Sequence, residues 1–286
     1  KISGNGLSHP SYLFGTYHGT YDILYQYTDS IPELHQAFNA CSQFAGESET
    51  TSKPTPAQVG AAIKLPKDTT YADLLNKEDF HFLDSIVRQS LKSPLNKVYI
   101  KPNFLALILG EIEKGKKLVD TGYSQSRIDS MKSQVMDIAL EKKAKEKGLT
   151  IVGLEGIFDA FVSEKSNLKK EADELISDLR EDDEISPLSF VNTLSDVYRT
   201  QNMKSLINFE VKVDSIFRTS PKLTEIGKRI REDLLKRRNL NWMNKIPELM
   251  KAQPTFIAVG VRHLPGKDGL IALLLEKGYQ VEPIGL

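Results

Sequence analysis

Short apolar runs that lead into histidine or glutamate stand near both ends of this chain and at two points between them, and long amphipathic stretches fill the rest. Residues 11–17, Ser-Tyr-Leu-Phe-Gly-Thr-Tyr, predict a short buried strand running straight into His18. Apolar residues at 31, 34, 37, 38, 41 and 44 keep a helical period, with Pro32 suited to a first turn, so a helix is expected within residues 30–44. A weak strand over 43–46 then ends at Glu47, and residues 47–56, rich in Ser, Thr, Glu and Pro, read as a loop.

The middle of the chain is mostly helical in pattern. Residues 71–75 and 78–91 are amphipathic, and Lys101-Pro102 opens a further segment through Ile112. Residues 134–147 predict a helix stopped by Gly148, and β-branched residues 150–154 predict a strand ending at Glu155. Residues 163–251 are long, charged and helical, with no strand pattern. Strand character returns at 255–261, leading into His263. A Pro/Gly-rich loop, a helix over 270–277 stopped by Gly278, and a last strand over 280–283 complete the chain. The expectation is an α/β fold: a central mixed, largely parallel sheet flanked by helices, with a long helical insertion in the second half. It is read as one domain, residues 1–286, with 163–251 a mainly helical subregion.

Composition narrows the function. Lysine plus arginine and aspartate plus glutamate stand at 38 each, so no net field draws the chain to nucleic acid or an anionic membrane. No apolar run reaches the roughly 18 residues of a membrane helix. Cys41 is the single cysteine, which excludes an intrachain disulfide and a cysteine-rich zinc site. The start at Lys1, without a signal peptide, suits either a trimmed chain or the mature form of an exported protein.

Four predicted strands lead into residues able to bind a metal or move a proton: His18, Glu47, Glu155 and His263. In open α/β sheets ligands bind outside the carboxyl ends of the strands, where such side chains converge if their strands are parallel neighbours. Each histidine closes a Gly-x-x-His segment, Gly15 to His18 and Gly260 to His263, and the glycines let backbone or substrate approach closely. Two imidazoles with one or two carboxylates suit a divalent ion that keeps a position open for water. Read singly, a Gly-x-x-His match is also common by chance, and a strand histidine is more often a packing residue than a ligand. His9, His35 and His81 read as surface or packing residues, Cys41 as buried, Trp242 as packing, Asp137 as structural, and Asp268 as the cap of the last helix.

Leu13-Phe-Gly-Thr-Tyr-His18, Ala258-Val-Gly-Val-Arg-His-Leu-Pro-Gly266, Asp268-Gly-Leu-Ile-Ala-Leu-Leu274 and Glu276-Lys-Gly-Tyr-Gln-Val-Glu-Pro-Ile284 resemble the TraB/GumN family, which includes the TIKI proteases. The resemblance continues through Ala37-Phe38, Leu65-Pro66, Lys101-Pro102, Asp137, Gly153-Leu-Glu155, Arg238-Asn239 and Trp242, in family order along nearly the whole chain. It implies a fold related to the erythromycin-esterase and ChaN-like proteins and a site made from the two Gly-x-x-His segments and a glutamate. Glu47 matches that glutamate, with Glu49 the nearby alternative. His18, His263 and Glu47 are the expected metal ligands, for Mn, Co or Zn, and Glu47, Glu155, Arg238 and Asn239 the expected catalytic residues. Two departures stand out: Arg262 where the family commonly has a small residue, and Ile157-Phe158-Asp159 where a Glu-Gln pair is usual.

The expected function is a metal-dependent hydrolase, a peptidase before other classes, with Arg238 or Asn239 stabilising an oxyanion. The alternative is a non-catalytic protein using the same cleft to bind a peptide signal, haem or a metal, and a scaffold role ranks third. A peptide or other small substrate is the expected partner. The resemblance also implies a bacterial protein exported to the periplasm or cell surface.

Overall fold

Strand formation follows burial. In the computed structural model, which describes residues 1–17, 23, 25–49, 54–159, 167–180 and 187–285, every residue of Thr255–Gly260 is buried. A near-continuous apolar run of that kind belongs to a parallel strand covered on both faces. Numbered along the chain, the strands are β1 (Ile2–Gly4), β2 (Tyr12–Thr16), β3 (Gln43–Gly46), β4 (Thr150–Gly153), β5 (Thr255–Gly260) and β6 (Tyr279–Val281). Four form a sheet of order β2-β5-β3-β4, parallel at every pairing. The antiparallel component is a separate ribbon, in which β1 pairs with β6 and Ile2 faces Val281. The fold is α/β, with a parallel sheet between helices.

The chain divides into two compact units. The first comprises Lys1–Ser52, Ser130–Ala160 and Ile185–Leu286, and holds both sheets. Its two apolar clusters follow from the period-2 alternation of the strands. Phe44, Phe256 and Ala258 point to one face and pack with Leu34, Phe38, Met136 and Leu140 of helices Pro32–Asn39 and Met136–Glu146. Ala45, Ile257 and Val259 point to the other face. There they meet Trp242, Ile246, Leu270 and Leu274 of helices Arg237–Trp242, Ile246–Ala252 and Leu270–Glu276. Full burial of one such Leu, Ile or Phe side chain stabilises by about 1.5–3 kcal/mol.

The second unit, Lys53–Asp129 with Phe161–Glu184, is helical in its described part. Tyr71, Leu83, Val87, Leu95, Leu105, Ala172 and Leu175 share its core. Its helix Pro56–Ile63 starts at a capping box, Thr55 with Gln58, at the end of the segment 47–56 read from sequence as a loop. Asp84 ties helix Lys77–Leu91 to the turn that follows, accepting from Leu95 N–H and Arg88 Nε at 2.7 Å each. Of residues 163–251, the described part is helices and short connections, with Leu168–Arg180 in the second unit and Pro187–Arg199 onward in the first.

Candidate functional site

Three parallel strands deliver the described site. β3 runs into Glu47, β4 stops two residues before Glu155, and β5 stops three before His263. Because β3 lies between β5 and β4, their carboxyl ends are neighbours. Hydrogen bonding between β3 and β4 continues beyond the strands: Leu154 N–H donates to Gly46 O at 2.9 Å, and Glu155 N–H to Glu47 O at 2.8 Å. The two glutamates therefore leave the sheet side by side. Gly153 permits this, since a Cβ there would stand 2.9 Å from the backbone nitrogen of Glu49. Glu49 itself turns to Lys145, 3.5 Å away, so Glu47 is the glutamate that enters the cluster.

The remaining side chains come from one helical run. Helix Pro221–Arg229 passes through a π-helical stretch, Ile230–Lys236, into helix Arg237–Trp242. Such wide turns re-phase a helix and are frequent at functional sites. Beyond the stretch, Arg238, Asn239 and Trp242 are all buried, and Arg238 and Trp242, four apart, share a face. Arg238 Nε donates to Glu155 at 3.0 and 3.2 Å, while its Nη2 donates to both Glu155 Oε1 and Glu47 Oε2. Trp242 Nε1 donates to Glu155 Oε2 at 3.1 Å. Glu47 Oε1 accepts from Gly260 N–H at 2.7 Å. Burial works to lower the Arg238 pKa, but the Glu155 hydrogen bonds and the Glu47 and Glu155 charges outweigh it and hold the pKa above its ordinary value.

Asn239 decides the chemistry of His263. Its Nδ2 donates to two backbone carbonyls, Asp268 O at 2.8 Å and His263 O at 3.2 Å, which fixes the amide orientation. Asn239 Oδ1 therefore faces His263 Nδ1, at 2.7 Å, and an amide oxygen can only accept. In the neutral ring the proton sits on Nδ1 and the lone pair on Nε2. That lone pair faces Arg238 Nη1 at 3.3 Å and lies 3.8 Å from Glu47 Oε1. The Trp242 ring covers one side of the imidazole, with centroids 4.5 Å apart.

A metal ligated by histidine is commonly supported this way, the other ring nitrogen donating to a fixed oxygen. Glu47 Oε1 and His263 Nε2, 3.8 Å apart, need close by only about 0.5 Å to take adjacent tetrahedral positions around one ion with bonds near 2 Å. No group of three or more His, Cys, Asp or Glu able to hold a metal occurs among the described residues. A full ligand set therefore needs a donor from elsewhere. His18 lies outside the described residues. The strand before it does not: β2 is the neighbour of β5, with Gly15 opposite Val259 and Thr16 opposite Gly260. The strands carrying the two Gly-x-x-His segments thus run together.

A sequence model of the TraB/PrgY/gumN family matches residues 1–283. The chain belongs to this family. Neither curated proteins nor solved structures returned a match to it. The family match runs through both compact units.

Both departures from the TraB/GumN pattern are accommodated locally. The Arg262 guanidinium pairs in a fork with Glu210 of helix Met203–Phe217, at 2.6 and 2.8 Å. Asp159 accepts from Gly156 N–H at 2.7 Å and closes the turn after Glu155. Other residues settle away from the cluster. His9 and His81 are exposed, and His35 stands 3.8 Å from Asp29. Asp137 accepts from Thr16 Oγ1 at 2.8 Å. Asp268 does not cap the last helix: the cap position is Gly269, without a side-chain hydrogen bond, and Asp268 serves through its carbonyl to Asn239. Two contributors escaped the sequence reading. These are the Gly260 backbone N–H and the Trp242 indole N–H; Trp242 is part of the family pattern but reads as packing, and its four-residue spacing from Arg238 is the signal that it shares that face. No described helix is long and apolar enough to cross a membrane.

Proposed function

We propose that this TraB/PrgY/gumN chain is a divalent-metal-dependent hydrolase of peptides, with His263, Glu47 and His18 as its metal donors. The observation that carries the proposal is the contact of His263 Nδ1 with Asn239 Oδ1, an atom that can only accept. Asn239 Oδ1 accepts from His263 Nδ1–H, so in the neutral ring the Nε2 lone pair is presented 3.8 Å from Glu47 Oε1, at the carboxyl ends of adjacent parallel strands. When bound, Mn, Co or Zn would lower the pKa of a coordinated water and polarise the scissile carbonyl. The chain's own residues do the rest. Asn239 orients the imidazole, Gly260 N–H orients Glu47, and Trp242 screens one face of the ring from water. Every hydrogen-bonding group of the Asn239 side chain points to protein, so its part is positioning. The family resemblance to the TIKI proteases supports a peptide as substrate class.

The experiment is metal analysis of purified protein, followed by peptide cleavage with added manganese, cobalt or zinc. Wild type should bind metal and cleave, and His263→Ala, His18→Ala and Glu47→Gln should each lose both. Undiminished metal binding in His263→Ala and Glu47→Gln would sink the assignment.

A further inference from the structure

Arg238 already stands where an incoming cation would go. Its Nη1 is 3.3 Å from His263 Nε2, and its Nη2 bonds the Glu47 oxygen opposite the one nearest that nitrogen. Nε and Nη2 together grip Glu155, and the guanidinium carbon sits 4.7 Å over the Trp242 ring. Among the described residues, the Glu47 and Glu155 carboxylates share this one guanidinium. The Arg238 and Glu155 side chains are each only 11% exposed, so solvent screens this arrangement weakly. A divalent ion held by Glu47 and His263 would repel the guanidinium and compete with it for Glu47.

We propose that Arg238 is the resident counter-ion of the site, and that metal enters by displacing it from Glu47 while Glu155 retains it. The inference rests on the metal reading above and goes further. Arg238 sets metal affinity, and Glu155 is the seat that keeps Arg238 available to yield, a positioning residue and not a ligand. Opposite signs follow for two substitutions. Arg238→Gln removes the competitor and tightens metal binding. Glu155→Gln leaves Arg238 with Glu47 as its only carboxylate, strengthens that pair and weakens metal binding. If both residues only supported the fold, both substitutions would weaken it.

The test is calorimetric titration of Mn(II) and Zn(II) into metal-free wild type, Arg238→Gln and Glu155→Gln. Trp242, the chain's only tryptophan, touches Arg238, Glu155 and His263 and supplies a fluorescence readout independent of activity. The expected result is binding tighter by roughly tenfold or more in Arg238→Gln, a modest share of a close charge–charge interaction, and weaker in Glu155→Gln. Binding by Arg238→Gln where wild type shows none supports the proposal equally. If wild type binds and Arg238→Gln binds no tighter, the counter-ion role is overturned and the metal reading stands. If neither binds, both fall. Should Arg238→Gln not fold, Arg238→Lys replaces it. Its single ammonium cannot bridge two carboxylates as the guanidinium fork does, so binding tighter than wild type is expected and unchanged binding overturns the proposal.

Discussion

Gly15 of the first Gly-x-x-His segment lies against Val261 of the second: a Cβ built on Gly15 would be 2.8 Å from Val261 Cγ2 and 3.0 Å from its Cα. Leu264 Cδ1 would be 2.9 Å away. The glycine is thus the space in which the second segment passes beside β2 on its way to His263. Gly15→Ala should destabilise by about 1–3 kcal/mol, the usual cost of overpacking. Thermal unfolding of the variant measures it, and a melting temperature equal to wild type would show that the segments part freely.

Asn239 and His263 make a prediction about protonation. Long-range proton–nitrogen NMR of the folded protein should find a proton on His263 Nδ1, because Asn239 Oδ1 can only accept. In Asn239→Ala that preference should weaken. Stability should also drop by about 1–3 kcal/mol for each buried carbonyl left without its partner, namely those of His263 and Asp268. A proton found on Nε2 in wild type contradicts the tautomer on which the proposed function rests.

Arg262 and Glu210 join the second Gly-x-x-His segment to helix Met203–Phe217 through two hydrogen bonds. Their side chains are about a quarter exposed, at 26% and 23%, so solvent screening keeps the pair modest. A double-mutant cycle with Arg262→Ala and Glu210→Ala should give a coupling of about 1 kcal/mol that shrinks in high salt. A coupling of zero would leave the departure at position 262 without an energetic role.

Cys41 lies on the apolar stripe of its segment, its thiol donating to Ala37 O at 3.4 Å. Burial pushes the thiol up from an ordinary 9.0 to about 12, against a smaller pull downward from Lys147. The folded state therefore favours the neutral thiol. Its contribution is complete below pH 9 and is lost as pH rises from 9 to about 12, where the unfolded chain ionises first. Comparing unfolding midpoints of wild type and Cys41→Ala from pH 8 to 11 should show wild type losing ground above pH 9. At pH 8 the native thiol should resist a disulfide reagent, and labelling as fast as in the unfolded chain would contradict its burial.

Much of the sheet was legible in the sequence. β2, β3, β4 and β5 lie within the runs read at 11–17, 43–46, 150–154 and 255–261: the central β3 and β5 are buried throughout and so mainly apolar, and the edge strands β2 and β4 carry aromatic and β-branched residues. β1 was not legible. Ile2-Ser-Gly4 is too short to carry a period, and its partner β6 lies at the far end of the chain. The last helix was expected to be capped by Asp268. The chain instead turns tightly enough that a Cβ at Gly269 would collide with the carbonyls of Leu264 and Pro265, and the Asp268 carboxylate ends 3.9 Å from Lys236 Nζ.

The sequence by itself placed Glu47, Glu155 and His263 at or just past strand ends. Local pattern records burial, period and turn residues within a few positions. It put Glu47 at the end of a strand and left Glu49, two residues further on, as the alternative. Only the tertiary structure turned Glu47 to Arg238 and Gly260 and Glu49 to Lys145. It alone set Arg238 against His263 and fixed the imidazole tautomer through Asn239. These relations depend on the order β2-β5-β3-β4 and on the phase of a helix after a π-helical stretch. Both arise from contacts between residues far apart in the chain, which no local pattern contains.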